Sequence, residues 1–100
     1  MMKTITKKKL DNEVDKQQVI FTPNGWEDYE YWVRNDPDKC KKINDLIGAS
    51  QASLHTGIGK PEKLSGNLKG YYSRRIDLEH RLVYKSDGKN LIIFAARYHY

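Results

Sequence analysis

Apolar residues follow two rhythms along this chain, helical and then alternating, but only after about residue 18. Residues 1–17 are polar and lysine-rich, which predicts a flexible basic N-terminal extension with a short helical tendency around Leu10 to Val14. Val19-Ile20-Phe21 is a short apolar run stopped by Pro23 and reads as a first strand. Thr22 is then placed to cap a helix with Pro23 at its first position. Glu27 and Asp28 are expected in the first turns, where the helix dipole favours acids. Trp26, Tyr29, Trp32 and Val33 recur at helical spacing and predict an aromatic face packed into the core rather than a platform for bases. Asn35-Asp36-Pro37 breaks that helix and caps a second. Its apolar stripe is Cys40, Ile43, Leu46 and Ile47, with Lys41 and Lys42 outside it, so Cys40 reads as core filler rather than a nucleophile.

A loop containing Gly57, Gly59 and Pro61 follows, and the rhythm then changes to alternation. Three strands are predicted, at Tyr71–Asp77, His80–Lys85 and Asn90–His99. Asp77-Leu78-Glu79 makes one tight connection, and Asp87-Gly88 is the strongest hairpin signal in the chain. The fold class is therefore α+β: strand, helix, helix, then a three-stranded antiparallel meander, in one domain over residues 18–100. Alternation puts His80, Leu82 and Tyr84 on one face of their strand and Arg81, Val83 and Lys85 on the other. On the last strand both faces are apolar until near its end, where Arg97, Tyr98, His99 and Tyr100 take over as a polar rim.

Composition narrows the class. One hundred residues suit one modest core, and 31% charged residues suit a busy, water-facing surface. No apolar stretch approaches the ~20 residues of a membrane span, and no apolar segment follows the basic N-terminus as in a secretory signal. The single cysteine rules out an internal disulfide, and the cytoplasm is the simplest location. Residues 60–100 hold nine Lys or Arg against four acids, whereas residues 19–59 hold four against six. An anionic partner for the second half follows, with nucleic acid foremost, against the plainer reading of a solubilising surface.

That basic half also holds the residues able to do chemistry. Cleaving RNA without a metal needs a base for the 2′-hydroxyl, cations for the charge growing on phosphorus, an acid for the departing 5′-oxygen, and a group that orients them. Glu62 is the candidate base, Arg81 the phosphate clamp, His99 the acid and Tyr100 the orienting group. Lys60, Arg74 and Arg75 are candidates for the flanking phosphates, and Tyr71, Tyr72 or Tyr100 for stacking on a base. Taken singly these signals are weak: a surface Glu is usually solvated and an Arg usually pairs with an acid. His55, His80 and His99 are too scattered to read as metal ligands, and no metal or cofactor is expected. By alternation His80 points away from Arg81, which favours a supporting role. No Walker loop, GxGxxG or C-x-x-C pair is present.

Several stretches in order are similar to one family. They are Trp26-Glu27-Asp28-Tyr29, Lys41-Lys42-Ile43-Asn44, Gly59-Lys60-Pro61-Glu62, Asn67-Leu68, Gly70-Tyr71-Tyr72-Ser73-Arg74-Arg75-Ile76, His80-Arg81-Leu82-Val83-Tyr84 and Arg97-Tyr98-His99-Tyr100. Together they resemble YoeB-type toxins of the RelE/ParE superfamily over about residues 19–100. The resemblance implies a RelE-like fold with helices on a twisted, mainly antiparallel sheet. It also implies an endoribonuclease that cuts messenger RNA in the ribosomal decoding site and stops translation. Such a toxin is restrained by a YefM-like antitoxin, reaches operator DNA only through the antitoxin complex, and is often a homodimer. Carried onto matching positions, the general base falls on Glu62, the phosphate-stabilising arginine on Arg81, the acid on His99 and the terminal supporting residue on Tyr100, with Arg75 a further basic position. The chain departs from the family at Lys63, where Pro is common, and at Ser65 and Ile58, where lysine is frequent. Two other activities fit the same superfamily: a ParE-like toxin acting on DNA gyrase without enzymatic activity, and an inactive corepressor that only binds the antitoxin.

Overall fold

Thr22 turns the chain from strand to helix. Strand β1 (Gln18–Phe21) ends there, the Thr22 hydroxyl accepts the Gly25 N–H at 3.1 Å, and helix α1 (Pro23–Asn35) begins with the proline at its first position. Asp36 then serves both helices. Its N–H donates to Trp32 O, and its carboxylate accepts the Lys39 N–H at the start of α2 (Pro37–Ala52). Both caps stand as the sequence predicts. The computed structural model describes residues 4–10 and 17–98. Residues 7–10 are helical; the remainder of the helical tendency predicted to Val14, and the candidate site residues His99 and Tyr100, lie outside the described residues.

After the helices come β2 (Glu62–Lys63), a 3-10 turn (Gly66–Leu68), β3 (Tyr72–Arg75), β4 (Arg81–Ser86) and β5 (Asn90–Ala95). The five strands form one sheet in the order β1-β5-β4-β3-β2, with β1 parallel to β5 and every other pair antiparallel. The α+β meander is therefore present, extended by β2, which at two residues is too short to show alternation. Asp77 shortens β3: its carboxylate accepts the N–H groups of Glu79 and His80 at 2.8 and 2.6 Å, so residues 76–80 turn instead of extending. The Asp87-Gly88 turn forms as predicted, with Gly88 at φ 94°.

The helices cover one face of the sheet, and Trp32, Ile43, Leu46, Ile47, Leu82, Tyr84, Leu91 and Ile93 form the core between them. Cys40 packs half-buried at its margin, as a filler should. The aromatic face of α1 is narrower than predicted. Gly25, Asp28 and Trp32 are its buried residues, whereas Trp26 and Val33 are 48% and 52% exposed. Gly25 sets this contact, since a Cβ there would lie 2.3 Å from the Ile93 carbonyl oxygen. Trp26 instead stacks against Tyr29 and meets Phe21 edge-on at the surface. Neither Glu27 nor Asp28 lies in the first turn. Asp28 is buried, and its carboxylate accepts the Ala96 N–H at 2.9 Å.

That bond corrects the last strand, which stops at Ala95 rather than running to His99. The Trp32 indole N–H donates to Ala96 O at 2.8 Å, so side chains of α1 take both backbone groups of Ala96 from the ladder. Just before, two residue steps on β5 (Ala95 to Ile93) match one on β4 (Val83 to Tyr84), a bulge with Phe94 as the extra residue. Tyr98 follows in the left-handed region at φ 59°, which a strand cannot contain.

Candidate active site on the open face of the sheet

Register sorts the basic residues. Arg75 lies directly opposite Arg81, Ser73 opposite both Glu62 and Val83, and Arg74 opposite Leu82. Opposed residues share a face, and Leu82 is in the core, so Glu62, Ser73, Arg75 and Arg81 belong to the face away from the helices. Directly opposed side chains start about 5 Å apart and diagonal ones about 7–8 Å. Glu62, Arg75 and Arg81 thus converge above Ser73 and Val83, which are buried as the floor.

Two arginines facing one another across a ladder repel, a cost that an anion between them relieves. Arg81 is held in place by Nη1 donating to Asp77 O at 2.8 Å and His80 O at 3.1 Å. Asp77 stiffens the same turn. Partial burial opposes ionisation of its carboxyl, but hydrogen bonds from the His80 N–H, the Lys39 ammonium and the Glu79 N–H outweigh it and hold the group below its ordinary value. Lys60 arrives from the loop. The Arg75 N–H donates to Gly59 O at 2.6 Å, and both Gly59 (φ 83°) and Lys60 (φ 48°) are left-handed, which sets exposed Lys60 beside β3. At Gly59 a Cβ would sit 2.6 Å from Leu46 Cδ2, so glycine is required.

Arg74 corrects a predicted phosphate contact. It is fully buried on the helix side, donating Nε to the Tyr84 hydroxyl, Nη1 to Ile58 O, and Nη2 to Ser53 O and Thr56 O. Three of these bonds tie residues 53–58 to the sheet, and full burial leaves no donor presented to a phosphate. Tyr84 donates in turn to Leu54 O, and burial raises its phenol above the usual value despite the neighbouring Ser50 hydroxyl and the Arg74 guanidinium. Tyr72 also leaves the list of base-stacking candidates, since its ring stacks on Tyr84 at 5.8 Å. Tyr71 meets Phe94 edge-on, with the Lys85 ammonium 5.1 Å from its centroid. His55 is exposed, as expected of a loop residue.

Two contacts hold Tyr98 beside His80 and Arg81. Its carbonyl accepts the Arg81 N–H at 2.9 Å, and its N–H donates to His80 Nδ1 at 2.7 Å. His80 thus has the supporting place that alternation suggests. The sequence gives no sign of Asp28's part in this arrangement, because a helical acid carries no mark of what its carboxylate meets. Among the described residues no three His, Cys, Asp or Glu side chains converge as a metal site would, and no helix is long and apolar enough to cross a membrane.

Comparison with known proteins adds a family to this geometry. The family described as "YoeB-like toxin of bacterial type II toxin-antitoxin system" matches residues 21–100. The chain is 51% identical over 83 residues to Toxin YoeB of Streptomyces coelicolor, covering 83% of this chain and 99% of the relative. It is also similar to a solved YoeB dimer from Staphylococcus aureus, at 48% identity and a TM-score of 0.80, covering 85% of this chain and 99% of that one. A YoeB-YefM complex from Staphylococcus aureus matches at 46% identity and a TM-score of 0.77, with the same coverage.

Proposed function

The chain belongs to the YoeB-like toxins of bacterial type II toxin–antitoxin systems, and from that premise we propose that it is an endoribonuclease cutting messenger RNA in the ribosomal decoding site. The observation carrying this reading is the convergence of Glu62 with the opposed pair Arg75 and Arg81 on the open face of the sheet. Glu62 takes the proton of the 2′-hydroxyl, whose oxygen attacks the adjacent phosphorus. Arg81, with its guanidinium fixed, and Arg75 neutralise the charge that grows on the phosphoryl oxygens. His99 gives a proton to the departing 5′-oxygen, and Tyr100 orients it. The products are a 2′,3′-cyclic phosphate and a 5′-hydroxyl. Lys60 holds a flanking phosphate, and Arg74 takes no part, for its hydrogen bonds point inward.

The toxin domain spans residues 18–100, with residues 1–17 as a basic extension, and acts in the cytoplasm where ribosomes are. A YefM-like antitoxin restrains it, as the Staphylococcus aureus complex supports, and the operator is reached only through that complex. The solved dimer likewise supports a homodimer. The test is a programmed ribosome whose messenger carries a single 2′-deoxy sugar at the cut position, with chelator present throughout. Cleavage of the all-ribose messenger and none of the substituted one is expected. Cutting of both would exclude attack by the 2′-hydroxyl. Growth arrest with DNA damage and intact messenger would favour the gyrase-directed reading instead.

A further inference from the structure

The segment leading to His99 is not held by a sheet ladder, so something else must aim it. Four contacts are available. Asp28 and Trp32 take the N–H and carbonyl of Ala96, the Arg81 N–H holds Tyr98 O, and His80 Nδ1 accepts the Tyr98 N–H. The last bond is the only one of the four whose acceptor is an imidazole nitrogen, an atom that stops accepting once it takes a proton. An imidazole that accepts at Nδ1 carries its proton at Nε2. That nitrogen lies 3.7 Å from the Glu79 carboxylate, an arrangement favouring this tautomer. The ring itself is shielded, with a side-chain exposure of 12%. Trp32 packs against it edge-on at 4.8 Å, and the Tyr98 ring lies 5.4 Å away.

Tyr98 needs such a hold because its φ of 59° is costly for a residue with a side chain. Arg97 adds a clamp from the other side, its guanidinium 3.7 Å from the Tyr31 centroid and 5.0 Å from that of Tyr98. We infer that His80 is a positioning residue: neutral, it latches the Tyr98 N–H and fixes the exit of the chain toward His99, and protonated it lets go. The His99 end of the inference rests on the ribonuclease reading above; the latch does not. Protonation turns Nδ1 into a donor facing a donor, so the bond must break. The charged or titratable groups around the ring are Glu79 at Nε2, Asp77 bound to the His80 N–H and to Lys39 of α2, Arg81 alongside, and Tyr98 with Arg97 behind it. From α1 the ring meets uncharged Trp32, with Tyr31 beyond.

The experiment is a proton–nitrogen NMR titration of the full chain, following the imidazole nitrogens of His80 and the exchange rate of the Tyr98 amide. An unprotonated Nδ1 at neutral pH is expected, with Tyr98 exchange quickening in step with His80 protonation. Replacing His80→Phe keeps a ring against Trp32 but removes the acceptor, and should speed Tyr98 exchange roughly tenfold at neutral pH. His80→Asn offers its Oδ1 near the place of Nδ1 and should restore protection, now independent of pH. Cleavage rate should follow the same order, wild type and Asn above Phe. A Tyr98 amide indifferent to His80 protonation in the wild type would overturn the latch, whatever the variants do. Wild-type protein that fails to cut RNA while Tyr98 still follows His80 would refute the ribonuclease reading and support the latch.

Discussion

Replacing Arg74 with Met removes four hydrogen bonds from a fully buried side chain and strands the carbonyls of Ser53, Thr56 and Ile58. A loss of about 2–4 kcal/mol in urea unfolding is expected. Arg75→Met should change stability by less than about 0.5 kcal/mol, because among the described residues its side chain makes no hydrogen bond, yet it should slow cleavage at least tenfold. The two arginines are neighbours of identical type, and alternation tells only that they face opposite ways. Which way is inward depends on Leu82 and Tyr84 across the ladder, so the sequence could not choose between them. Gly59 is a similar case. Its place in a glycine-bearing loop was legible, but the 2.6 Å approach of Leu46 was not. Gly59→Ala should cost about 1–3 kcal/mol by the same unfolding assay.

Among the elements, caps and turns were readable because their chemistry is local. Thr22-Pro23, Asp36-Pro37 and Asp87-Gly88 each act within a few residues, and each stands where the pattern placed it. The end of β5 was not readable, since its limit is set by Asp28 and Trp32 from α1, far away in sequence. Asp28→Ala leaves the Ala96 N–H buried without a partner and should cost about 2–3 kcal/mol, with a matching loss of protection at that amide in hydrogen exchange. The 76–80 turn makes a prediction in pH. Asp77 titrates lower in the folded chain than its ordinary 3.8, so its contribution is full above that value and is lost as pH falls through the lowered one. Urea stability measured from pH 6 to pH 2 should therefore decline less steeply in Asp77→Asn than in the wild type.

For the whole molecule, the division of labour follows the two faces of one sheet. The helices bury one face, with Arg74 satisfied inside it, and the opposite face gathers Glu62, Arg75 and Arg81 beside the exit toward His99. The charge excess of residues 60–100 foreshadowed this, and the family-like motifs named most of its members; alternation suggested a supporting role for His80, but its Tyr98 partner, the burial of Arg74 and the anchor Asp28 emerge only from the packing. The central claim, that this face is a messenger-cutting site completed by the chain's last residues, is tested most directly by primer extension on programmed ribosomes with wild type and His99→Gln. The account predicts cuts within the decoding-site codon from the wild type and a loss of at least a hundredfold in the variant. Equal cutting by the two proteins would contradict the acid role of His99, and no cutting by a wild type that still arrests growth would contradict the claim itself.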